Sequence, residues 1–135
     1  MLDTATQTAG VIAQDPTQYT VEDIRAIKAE AVSEAKKAVA EFLADWTAKT
    51  GGNEYGEPMY CGFAWMSIHG VKGNTRLGKA LKSAGIEQAW DKSFQIWDPA
   101  QHRGQSMDAK EVGAQACADV FRKYGFTAYM GSRAD

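Results

Sequence analysis

Three features of the sequence predict an α/β fold (or α+β) in which a long N-terminal helix precedes strand, helix, strand, helix, strand. The first is a stripe of apolar residues at steps of three and four from Ile24 to Trp46. The second is an unbroken apolar run from Met59 to Ile68 that ends in a glycine-punctuated turn. The third is an alternation downstream of short β-rich segments with helical patterns bounded by capping residues and glycines.

A chain of 135 residues matches one domain and buries a core without disulfide or metal staples. Its 44% hydrophobic and 24% charged residues are those of an ordinary folded protein, and a net charge of -2 carries no partner information by itself. The two cysteines, Cys61 and Cys117, fall in an apolar run and a helical pattern, which suits buried free thiols in a reducing compartment. No apolar run approaches the roughly 18 residues of a membrane span, and Met1–Gly10 lacks a signal-peptide pattern. The expectation is a cytosolic location and no membrane partner.

In order, residues 1–19 hold few apolar anchors and are expected to form a flexible arm, with residues 20–135 the single α/β domain. Thr20 with Asp23 caps a helix from Val21 to about Lys49, ended by Gly51-Gly52. Ile24, Ile27, Ala31, Ala35, Val39, Phe42 and Trp46 form its stripe, expected to pack on a sheet or to join a second copy, so a homo-oligomer through residues 21–49 is a predicted partner. Met59–Ile68 reads as a central strand buried on both faces, within a small three-stranded sheet covered by helices or by another subunit. Gly73 or Asn74 then caps a helix ending at Gly85. Ile86–Lys92 is a connector and Ser93–Trp97 a second strand. Pro99–Gln105 is a polar loop, and Ser106 caps a helix ending at Gly125. Phe126–Met130 is the third strand, and residues 131–135 a charged tail.

The turn after the central strand carries the first candidate site. Lys72, Arg76, Lys79 and Lys82 lie on it and on the following helix with no acidic residue among them, and a helix N-terminus favours a phosphate or carboxylate. Walker A and dinucleotide fingerprints are both absent. Alternating strands and helices predict at least partly parallel pairing, which would bring both strand-to-helix loops to one rim. There Lys72, Asn74, Arg76, His102, Arg103, Gln105 and Ser106, with Arg133 of the tail, would bind a phosphorylated ligand; antiparallel pairing would separate them. Phe63, Trp65 and Trp97 are expected to pack in the core, and are also available for stacking on a base.

No catalytic constellation emerges. Ser67 and His69 share a strand face about 6.5 to 7 Å apart, read as too far for a nucleophile and its base. Two histidines without paired cysteines or helical His spacing indicate no metal site, and no cofactor motif is present.

The phrases Tyr60-Cys61-Gly62-Phe63-Ala64-Trp65, Gly73-Asn74-Thr75-Arg76-Leu77, Ile96-Trp97, Gln105-Ser106-Met107-Asp108-Ala109-Lys110-Glu111 and Gly131-Ser132-Arg133-Ala134-Asp135 resemble a family of small tailed-bacteriophage proteins. The resemblance covers residues 59–135 and carries no activity or ligand. It implies a phage origin, with action in the host cytoplasm or in the virion. The favoured expectation is a non-catalytic, oligomeric binding protein for a nucleotide, a signalling nucleotide or a nucleic-acid backbone. A virion structural or assembly protein and a small enzyme are the alternatives.

Overall fold

The computed structural model describes residues 10–135, which form a mixed α/β fold of three α-helices and one four-stranded sheet. Helix α1, Val21–Thr50, begins where Thr20 and Asp23 exchange side-chain and backbone hydrogen bonds, and stops at Gly51, whose φ of 83° is left-handed. Its stripe of Ile24, Ile27, Ala31, Ala35 and Val39 is buried. Its chief partner is helix α3, Met107–Lys123, while Arg25 and Lys28 reach the carbonyls that end helix α2, Arg76–Ser83. The stripe expected to lie on the sheet therefore lies on other helices, and residues 21–49 leave only their outer side for any second copy.

Small residues make this packing possible. A Cβ added to Gly113 of α3 would lie 2.8 Å from the Ala100 Cβ and 3.1 Å from a methyl of Val39. Ser106 caps α3 as expected, accepting the Ala109 N–H at 3.2 Å. For α2 the cap is Thr75, which accepts the Gly78 N–H at 3.1 Å, rather than Gly73 or Asn74.

The strands are β1 (Gly62–His69), β2 (Glu87–Gln88), β3 (Phe94–Trp97) and β4 (Thr127–Ala134), in the order β2-β3-β1-β4, with every neighbouring pair antiparallel. This is the connectivity of the split βαβ, or ferredoxin-like, arrangement. It corrects the expected parallel pairing. Helices α2 and α3 join strands that run the same way, β1 to β2 and β3 to β4, but in each case an antiparallel strand is inserted between them. Between β1 and β2 the inserted strand is β3, brought back by a tight hairpin from the two-residue β2, which the connector reading of residues 86–92 missed.

Two further differences follow from pairing. The tail expected at residues 131–135 continues β4, with Gly131, Ser132, Arg133 and Ala134 opposite Trp65, Ala64, Phe63 and Gly62. Of the arm expected over residues 1–19, residues 1–9 lie outside the described residues, and residues 10–19 are docked. Val11 and Tyr19 are buried, the Tyr19 hydroxyl donates to the Tyr124 carbonyl at 2.7 Å, and Arg76 donates to the Thr17 carbonyl at 2.7 Å.

The sheet buries one face. Met66 and Ile68 of β1, Phe94 of β3 and Ala128 of β4 join Leu77, Leu81, Cys117 and Phe121 of the helices in one core. The alternate residues Phe63, Trp65, His69, Trp97, Tyr129 and Arg133 point to the other side, where Trp97 is 48% and Tyr129 50% exposed. Among the described residues the second face of central β1 is not covered by a helix, which corrects the expected burial on both faces; Phe63 and Trp65 there are half-buried.

Candidate functional site

Strand direction decides where the expected site residues go. Because β3 runs opposite to β1, the turn after β1 leaves the sheet where β3 begins, and the loop after β3 leaves where β1 begins. Lys72, Asn74 and Arg76 therefore stand at one end. His102, Arg103, Gln105 and Ser106 stand at the other, where Ser106 bridges to Cys61 and Arg133 pairs with Phe63. The rim expected to unite them does not form.

At the first end the cations are dispersed. The Arg76 guanidinium is bonded to Thr17, Lys82 donates to the Gly73 carbonyl at 3.1 Å, and Lys72, Asn74 and Lys79 are exposed. The cleft beside this turn, about 210 Å³, is lined by Asp15 and His69 and by no lysine or arginine, so it does not cradle an anion.

At the second end the loop does hold an anion, and the anion is the protein's own. The Glu57 side chain, only 8% exposed with its residue, accepts the Gln105 N–H at 2.8 Å, the Ser106 N–H at 2.9 Å and a contact from His102 Nε2 at 2.5 Å. Burial pushes its pKa up, but the bonds from His102, Ser106 and Gln105 outweigh that and hold the carboxyl below the usual range. Gly104 leaves the room, since a Cβ there would fall 2.0 Å from a Glu57 oxygen. His102, Gln105 and Ser106 are thus engaged in positioning the start of α3. Arg103 is left at the rim of a shallow groove of about 610 Å³ with Lys36, Val39 and Leu43. Nothing in the polar loop around Glu57 marks this role in sequence, because the partners are some 45 residues away.

The exposed sheet face gathers the remaining candidate groups. Trp65 and Trp97 stack with ring centres 4.6 Å apart and planes 22° apart, and Phe63 lies 6.3 Å from Trp97. Trp65 is seated over Gly131, where a Cβ would come within 2.6 Å of the indole. The Trp97 N–H donates to Gln95 at 2.8 Å, which fixes the outer ring. Exposed Arg133 borders the aromatic band, 5.4 Å from the Phe63 ring centre; Lys110, at the same distance, is buried and donates to the Gly62 carbonyl, and Arg122, 5.1 Å from the Tyr129 ring centre, donates to the Ala128 carbonyl. Such a band offers flat rings for stacking and a guanidinium group for phosphates. Of the eight expected ligand residues only Arg133 belongs to it. The alternation of Phe63 and Trp65 with small residues is the signal that marks it, and it was read as a strand buried on both sides.

Compared with known protein families, with curated proteins and with solved structures, the chain matches none.

On the same face the Ser67 hydroxyl and His69 Nε2 are 2.9 Å apart, which corrects the expectation that they stand too far apart to bond. The spacing along the strand is that of their backbones, and the imidazole leans back to span it. Ser67 is 6% exposed and also faces the Tyr129 carbonyl at 3.4 Å. The nearby Asp91 carboxylate is taken up by the Ser93 hydroxyl and N–H, which together keep its pKa low. Among the described residues no group of three or more His, Cys, Asp or Glu side chains is placed to hold a metal ion, and no helix is long and apolar enough to cross a membrane.

Proposed function

We propose that the protein is a non-catalytic binder of nucleotide ligands, and that single-stranded nucleic acid, its bases stacked on the uncovered sheet face, is the class this face suits. One observation carries the proposal: on the side of the sheet away from the helices, exposed Trp97 stacks on half-buried Trp65 with half-buried Phe63 near it and exposed Arg133 beside them. Stacking on aromatic rings contributes roughly 1–3 kcal/mol per base and tolerates any sequence. A duplex keeps its base faces hidden, so a flat aromatic surface selects single strands. The net charge of -2 and the few cations on the face mean that stacking, not charge, supplies most of the affinity.

The test is a titration of tryptophan fluorescence with single-stranded oligonucleotides, with a duplex of the same sequence as control. Single strands are expected to quench and the duplex to bind far more weakly. Trp97→Ala should weaken binding about 5- to 100-fold. A native protein that binds no single strand, or a Trp97→Ala variant that binds as tightly as the native chain, overturns the proposal. The affinity should also fall only shallowly with salt, with a slope of about one to three phosphates.

A further inference from the structure

We infer that the tip of the β2–β3 hairpin is a second stacking station, where Trp90 takes a further base of the strand proposed for the sheet face, with Lys92 and Lys72 facing its phosphates. Trp90 is 94% exposed, more than any other large apolar residue described, and adds nothing to the core. An indole held in water by an ordered turn is placed for contact with something outside the chain.

The turn is ordered. The Ala89 N–H donates to the Ser93 carbonyl at 2.8 Å and the Lys92 N–H to the Ala89 carbonyl at 2.9 Å. Asp91 accepts from both Ser93 donors, and the Gln88 amide donates to the Lys92 carbonyl at 3.1 Å. Trp90 therefore projects from a fixed support.

The tip lies beyond one end of the aromatic face. Phe94 pairs with Ile68, so the tip extends past the His69 end of β1. The turn after β1 is packed against the same hairpin, since a Cβ on Gly73 would lie 2.5 Å from the Gln88 side chain. Lys72 and Lys92 are both exposed there, as are the acidic Glu87 and Asp91. From Phe63 to His69 the strand spans about 20 Å, so a chain crossing the face reaches this tip only if it is several nucleotides long. Lys72 and Lys92 are the cations exposed at this tip to meet a phosphate backbone leaving the face, beside the acidic Glu87 and Asp91; Lys82 is bonded to the Gly73 carbonyl.

Resting on the function proposed above, the inference makes a length-dependent prediction. Fluorescence anisotropy is measured with labelled homopyrimidine strands of about 3 and about 12 nucleotides, for the native chain, Trp90→Ala and Trp97→Ala. Trp97→Ala should weaken both strands. Trp90→Ala should weaken the longer strand about 5- to 100-fold and leave the shorter one unchanged. Trp90 touches no core residue, so its loss should leave the circular dichroism and melting temperature as they are. If Trp90→Ala binds both strands like the native chain while Trp97→Ala is impaired, the tip is no station and the sheet-face function stands. If Trp97→Ala is also unimpaired, the function itself has failed. A Trp90→Ala variant that changes only the sedimentation of the protein makes the tip a contact between copies and overturns the inference.

Discussion

Glu57 shows how one side chain can set a local architecture. Its carboxylate, held below the usual carboxylate range, contributes stability that is present above its unfolded value near 4.5 and is lost as pH falls through the folded value. Glu57→Ala would strand two N–H groups and His102, at a cost of about 2–4 kcal/mol. In urea titrations the gap between native and variant should be full at neutral pH and shrink below about pH 4. The thiols give a second test at this scale. Burial pushes the Cys117 pKa up to about 12, whereas Cys61 is exposed. A thiol reagent at neutral pH should label Cys61 in the folded protein and Cys117 only after denaturation; rapid labelling of both would contradict the packing of α3.

Elements succeed or fail here through small residues at close approaches. Gly113→Val would drive a side chain into Val39 and Ala100, and should destabilise the α1–α3 pair by about 1–3 kcal/mol, read as a lower melting temperature. Gly131→Ala would instead displace the Trp65 indole, so near-ultraviolet circular dichroism should change and single-strand quenching weaken with little loss of helix signal. The ends of helices were legible in the sequence because caps are local: Thr20, Gly51 and Ser106 each act on neighbours within a few residues. Strand β2 was not, because two residues carry no alternation. The continuation of β4 through Gly131–Ala134 was hidden for a similar reason, since its polar residues look like a tail until Phe63 and Ala64 stand opposite.

At the scale of the whole molecule, the order of elements was readable but the direction of neighbours was not. A helical crossover fixes that two strands run the same way, and says nothing about a third inserted between them. That single unknown divided the expected anion rim, sending Lys72, Asn74 and Arg76 to one end and His102, Arg103, Gln105 and Ser106 to the other. The aromatics survived because face alternation does not depend on direction: Phe63, Trp65 and Trp97 share a side in any pairing that keeps the register. What the sequence concealed was that no described helix lies on this side, for a strand apolar on both faces looks the same whether a helix, a second copy or a ligand covers it.

The carboxylate seated beneath the start of α3 also makes that junction a clock. The Gln105 and Ser106 amide hydrogens, donated to Glu57 from a loop that includes left-handed Asp98 and Gln101, exchange with deuterium only when the junction opens. Their exchange times therefore report how often the loop releases its hold, and comparing them with and without a bound strand tells whether the far end of the sheet tightens when its face is occupied.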